Sequence, residues 1–207
     1  MRAVLLVGAG LACAAPTLAA QHVRFGVHAV GITHTEISEA SQAEGAGIGG
    51  LISVRVGRFG VDLSGHTAKL DSVNGGPAFD LLQGDVRASV RIASGFAFEV
   101  GAGRRAVDPE FTAQDVGFGR AGILSEFQLA SIGSVWGRGA YLIAPRFSGG
   151  GTAGFSLELG FGAGIGTSNG RFRGRVEYEF QRLDRTVNQV DVPIQQSVAK
   201  LGVDVGF

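Results

Sequence analysis

Cysteine is nearly absent from this 207-residue sequence: Cys13 stands alone, so neither a disulfide framework nor a cysteine-built zinc site is available. Proline is scarce too, with 5 residues against 35 glycines. Average usage would give about 14 or 15 glycines, but the excess has no three-residue period, which excludes collagen, and no accompanying proline, which excludes Pro/Gly-rich disorder. Neither sign of charge dominates. Lys+Arg 18 and Asp+Glu 18 cancel, so nucleic acid is not an expected partner and no acidic tail is present. After residue 20 no uncharged apolar run approaches the roughly 18 residues a membrane helix needs.

What is present begins with an export signal. Met1-Arg2 is a short basic start, residues 3 to 15 carry no charge, and Leu18-Ala19-Ala20 offers small residues for cleavage ahead of Gln21. Pro16 ends the apolar run too early for a membrane span. Residues 1–20 are therefore expected to be a cleaved signal peptide and 21–207 a single mature domain. Lipoprotein processing at Cys13 is disfavoured, because Gly10-Leu11-Ala12-Cys13 has glycine where such signals carry a bulky aliphatic residue.

The rest of the chain alternates. From Arg171 to Gln181 every even position is apolar or glycine and every odd one is charged or amide, and this period of two marks a strand with one oily face. Leu82, Gly84, Val86, Ala88, Val90 and Ile92 repeat it, as do Phe59, Val61 and Leu63. Less regular alternation covers residues 22–34, 46–57, 96–107, 116–129, 135–147, 154–166 and 194–207. Tight turns near 57–58, 93–95, 130–134 and 167–170 alternate with longer loops at 35–45, 71–78, 108–115, 148–153 and 184–193. The expected fold is all-β, an antiparallel up-and-down transmembrane β-barrel of about 10 strands, with eight as the alternative. A soluble sandwich also alternates, but its oily faces must interlock, and glycine and alanine here would leave such a core underfilled.

With the oily face outward and both termini at the short-turn end, Phe25, Phe59, Phe96, Phe127, Phe172 and Phe207 fall at one level, as a lower aromatic girdle. Tyr141, Phe147, Phe155, Tyr178 and Phe180 would form the upper one. The opposite parity then lines the lumen with Arg24, Arg55, Arg87, Arg91, Arg138, Arg173, Arg175 and Lys200 against Asp62, Asp85, Glu99, Glu126, Glu158, Glu177, Glu179 and Asp204. Balanced charge in a narrow bore is expected to pair across strands; a water-filled pore lined by the same groups is the alternative. No catalytic, cofactor-binding or metal-binding set is expected. Asp62, Ser64 and His66 share a strand face, but steps of about 6.6–6.8 Å separate them. Gly101 to Ala106 has the outline of a dinucleotide fingerprint without its strand-turn-helix setting. Arg104 and Arg105, at the upper end of their strand, are candidates for lipid phosphate, with a salt bridge at the base of the loop as the equal alternative.

The final strand alternates through Leu201, Val203 and Val205 and ends on Phe207. In this the chain resembles small bacterial outer-membrane β-barrels of the OmpA-transmembrane-domain and OmpX-like type. The resemblance implies that these four residues form a signal read by the barrel-assembly machinery after delivery by periplasmic chaperones. It implies an outer-membrane location, contact with lipid and lipopolysaccharide, and a monomer without cofactor or the wall-anchoring role of larger relatives. The expected function is non-enzymatic, in envelope integrity or surface interaction. A narrow channel for ions or small solutes is the alternative, and a barrel-embedded lipid or peptide hydrolase the second.

Overall fold

The computed structural model describes residues 21–36, 42–109, 114–129, 132–167 and 171–207. The expected signal peptide lies outside them, as do parts of the turns at 130–134 and 167–170 and of the loops at 35–45 and 108–115. Ten long strands form the wall: β1 (Gln21–Glu36), β2 (Gln42–Val56), β3 (Phe59–Ser72), β4 (Phe79–Ala93), β5 (Phe96–Asp108), β6 (Val116–Leu129), β7 (Gly133–Phe147), β9 (Leu157–Gly166), β10 (Phe172–Leu183) and β13 (Ile194–Gly206). Each pairs antiparallel with its neighbours, and β1 pairs with both β2 and β13, so the sheet closes into a barrel. Closure removes the edge strands that an open sheet would leave unpaired.

Two of the short turns are two-residue hairpins. Val56 pairs with Phe59 around Gly57 (φ 59°), whose positive φ at the first turn position suits a primed turn, and Ala93 pairs with Phe96 around Gly95, whose positive φ (77°) falls at the second position beside the β4 register shift. The long-loop end is more ordered than its polar composition suggests. Residues expected to be loop form a small sheet of β8 (Thr152–Ala153), β11 (Arg185–Val187) and β12 (Val190–Asp191), the last two joined through Asn188 (φ 49°) and Gln189 (φ 66°).

The outward face carries an apolar belt that includes Val27, Ile48, Leu63, Leu82, Val86, Val100, Ile123, Leu159, Val176 and Leu201, all exposed. Exposed apolar area on this scale far exceeds what water-soluble monomers tolerate, and the fold is a transmembrane barrel. The six lower-girdle phenylalanines are all exposed at the short-turn end, with Phe25 edge-on to Phe207 (6.1 Å between centroids) and Phe96 edge-on to Phe127 (5.7 Å). Higher up, Tyr141 with Phe155 and Phe161 with Tyr178 form tilted pairs.

Phe147 departs from the upper girdle. The β6–β7 register slips between Gly117/Arg146 and Gly119/Ile143, where Ala144 takes a positive φ of 46°. This bulge reverses the parity of the strand end. Phe147 turns inward onto a buried apolar cluster, and Arg146 turns outward.

Glycine on the inner wall makes space for large neighbours. A side chain at Gly162 would collide with the Trp136 ring, and one at Gly164 with the Arg173 guanidinium.

Candidate functional site

Among the described residues, polar side chains gather in number in the lumen, where they are layered. Deep in the bore, Glu158 is fully buried and accepts hydrogen bonds from Arg87 Nη2 (3.0 Å), Arg120 Nη1 (3.2 Å) and Gln181 Nε2 (2.9 Å). Arg87 also lies 3.4 Å from Glu179, whose other oxygen takes the Lys200 ammonium at 2.8 Å. Arg120 continues to Asp85, which accepts from Gln83 at 3.2 Å. Every charge in this set meets an opposite one, as burial in low dielectric demands.

The bonds run across the bore as well as along its wall. Arg87 on β4 and Glu179 on β10 are five strands apart around a ten-stranded ring, which is diametrically opposite. A second bridge has the same span: Arg105 on β5 donates to Gln196 Oε1 on β13 at 2.6 Å, and Gln196 in turn donates to Gln83 at 2.8 Å. Side chains that touch across the full diameter divide and narrow the bore at those levels.

Toward the long loops the lining becomes apolar. Val30, Ile32, Ala43, Ala68, Leu70, Phe79, Leu81, Val107 and Val198 form one buried cluster, and Val116, Phe118, Leu142, Leu183 and Ile194 another. Arg185 of β11 lies over the Phe147 ring at 5.3 Å and donates to the carbonyls of Gly149 and Gly150, fastening the small loop sheet above.

Toward the short turns the lumen opens into a pocket of about 100 Å³ among Arg24, Arg55, Asp62, Arg138, Arg173 and Asp204. Arg55 grips Asp62 through two bonds of 2.9 and 2.8 Å. Arg173 stacks on Trp136 at 4.9 Å, donates to Ser134 and sits 3.8 Å from Glu126. Arg175 lies between Asp204 (3.6 Å) and Glu177 (3.9 Å), and Lys200 reaches Glu177 at 3.6 Å.

Most of the lumen residues expected from parity thus meet an opposite charge. Three do not. Arg91 keeps the regular register opposite Ala97 but lies exposed at the short-turn mouth, just before the shift that pairs Ala93 with Phe96; Glu99 and Arg138 face inward without an ion pair among the described residues. Arg24 lines the lower pocket. Parity reading missed Arg120, although it shares the even parity of Glu126 on β6, and it missed the amides Gln83, Gln181 and Gln196. It also grouped Arg105 with Arg104 as lipid-facing. Arg105 instead points into the lumen with 1% of its surface exposed, and only Arg104 faces outward.

No family model matches the chain, and no curated protein matches it. Solved barrels do resemble it. Neisserial surface protein A is 13% identical over 89% of this chain and 97% of its own, with a TM-score of 0.43. Ail of Yersinia pestis is 13% identical over 90% and 98%, at 0.41, and the β domain of the Bordetella autotransporter Brka is 12% identical over 86% and 98%, at 0.44. Function must accordingly be argued from this chain's own side chains.

Those side chains do not assemble a hydrolytic relay. Asp62 is committed to Arg55, His66 Nε2 has no hydrogen-bond partner, and Ser64 makes no hydrogen bond to His66 among the described residues. A nucleophile needs a base within hydrogen-bond reach and a group to orient that base. Among the described residues this row supplies neither, and the lumen around it is a set of mutually paired charges.

Proposed function

We propose that this chain is a non-enzymatic outer-membrane barrel with a sealed lumen, which supports envelope integrity or surface interaction through its long-loop end. The observation that carries the reading is the filled bore: bridges across the diameter at Arg87–Glu179 and Arg105–Gln196, backed by the apolar clusters. The exposed apolar belt and the phenylalanine girdle support a bilayer location. A barrel of about eight strands is filled by its own side chains and one of sixteen or so is a channel; ten strands stand near the filled end.

Recording from pure protein in a planar bilayer tests this. The expected result is a silent membrane at voltages where porins conduct. Steady, ion-dependent conductance would refute the sealed lumen and favour the narrow channel.

Assembly by the outer-membrane insertion machinery, with Leu201, Val203, Val205 and Phe207 as the signal, belongs to the same proposal. Phe207 also has a mechanical part, since its backbone exchanges hydrogen bonds with Val23 at 2.9 and 3.3 Å and its ring meets Phe25. Deleting Phe207 should lower the yield of heat-modifiable barrel in cells severalfold. The same deletion should cost only about 1–2 kcal/mol in a refolded sample, the worth of the lost backbone and ring contacts. Equal losses in both settings would mean that the residue is a structural seam and no signal.

A further inference from the structure

Two arginines stand on the outer wall at the long-loop end, where a lipid-facing surface ordinarily excludes charge. Arg104 on β5 and Arg146 on β7 are both registered to Gly117 on β6, so they flank one glycine on one face. Strands about 4.8 Å apart put their backbones roughly 10 Å from each other, within the joint reach of two arginine side chains. Gly117 has open space above it. Arg104 is 78% exposed and its nearest acid is Asp115, at 3.9 Å; Arg146 makes no side-chain hydrogen bond or ion pair with a described residue.

Arg146 reaches this face only through the bulge at Ala144. Regular alternation would send it into the lumen with Leu142, and the positive-φ residue turns it out beside Arg104. The level is also specific. Eight residues of β5 separate Arg104 from the girdle residue Phe96, with Phe98, Val100 and Ala102 outward between them. That is about 26 Å of strand, or about 20 Å along the membrane normal at a tilt of about 40°. Guanidinium groups extending from that height reach the upper edge of an apolar band about 25 Å tall.

Beside Arg104 the outer wall holds an apolar groove of about 790 Å³, walled by Ile48, Thr67, Leu82 and Ala106 and floored by Gly65 and Gly84. Two forked cations at the interface, open space between them and an oily groove running sideways from Arg104 across β4 and β3 to β2 together match one amphipathic molecule. We propose that Arg104 and Arg146 clamp the phosphate monoester of an outer-leaflet glycolipid, with an acyl chain of the same lipid lying in the groove. Guanidinium pairs bind phosphate through paired, charge-assisted hydrogen bonds that a single surface cation does not supply. The assignment rests on the membrane-barrel reading and is independent of whether the lumen conducts.

The test uses the refolded mature chain in phosphatidylcholine vesicles containing either phosphorylated lipid A or its dephosphorylated form, with co-purified lipid quantified by mass spectrometry. Insertion is read first, by heat modifiability; a chain that does not insert overturns both the barrel reading and this one. For the inserted wild type, the phosphorylated form should be retained about tenfold over the dephosphorylated one, the ratio that one charge-assisted bond confers. Arg104→Gln with Arg146→Gln should abolish that preference, while Lys69→Gln, an exposed cation on β3 outside the clamp, should keep it. Equal retention of both lipids by the wild type, or an unchanged preference in the double variant, overturns the clamp while leaving the barrel standing. Inorganic phosphate at millimolar concentration should not displace the lipid; full displacement would identify a simple anion site and refute the lipid assignment.

Discussion

Replacing Glu158 by alanine should destabilise the barrel by about 3–5 kcal/mol, the range found when one member of a buried ion network is removed and its partners are left without compensation. Glu158 receives Arg87, Arg120 and Gln181 at once, so its loss strands parts of two guanidinium groups inside the bore. Coulomb attraction lost is the smaller part of that cost. The larger part is desolvation no longer offset, because Arg87 and Arg120 are nearly inaccessible to water and cannot turn outward through a closed wall. Arg55→Ala should cost about 1 kcal/mol or less, since its side chain is 36% exposed at the open end and Asp62 can be rehydrated there. Denaturant unfolding of both variants in the same lipid vesicles checks the contrast. Similar values for the two would mean that water reaches the Glu158 level and that the network is not dry. Replacing Arg87 and Glu158 together by apolar residues of similar volume should recover part of the loss only, because Arg120 and Glu179 would each lose one ionic partner and keep only Asp85 and Lys200.

That network was partly readable in the sequence, for a definable reason. Strand parity is a local property, and in β10 the alternation from Arg173 to Glu179 is regular enough to assign each side chain to a face. Pairing across the bore is not local: which strand lies opposite β4 follows from the closed ring and its strand number. Arg120 shows the limit. Its parity was available from Glu126, but glycines at 117, 119 and 122 blur the alternation around it. The apolar layer was hidden differently. In Ala29-Val30-Gly31-Ile32 both faces of β1 are apolar or glycine, and period-two reading cannot say that Val30 and Ile32 turn inward. Phe147 was assigned to the wrong face because one inserted residue at Ala144 inverts everything beyond it, and no composition signal marks an alanine with positive φ.

The layered lumen raises a sharper question than whether the barrel conducts: which layer seals it. Charged side chains on long stems can swivel and carry their own hydration, so the network alone resists ions poorly once water enters from the lower pocket. An apolar constriction works by dewetting, which excludes ions without any steric block. The clusters draw residues from nine of the ten wall strands, and Leu70, Leu81 and Leu142 among them are wholly buried. Changing these three leucines to serine should therefore turn a silent barrel into one with small, flickering conductance. The three changes will also weaken the fold, since each large-to-small core substitution costs about 2–5 kcal/mol, so heat modifiability must be verified in the sample that is recorded. Glu158→Ala, which cuts the ionic bridge and leaves the leucines in place, should stay silent. The reverse pattern, conductance from Glu158→Ala and silence from the serine variant, would place the seal in the ion pairs and make the apolar layer a matter of stability alone. Because the three serine changes together cost more stability than Glu158→Ala, conductance is compared only between samples of equal heat modifiability, where a difference reports on the layer removed and not on loosening of the whole barrel.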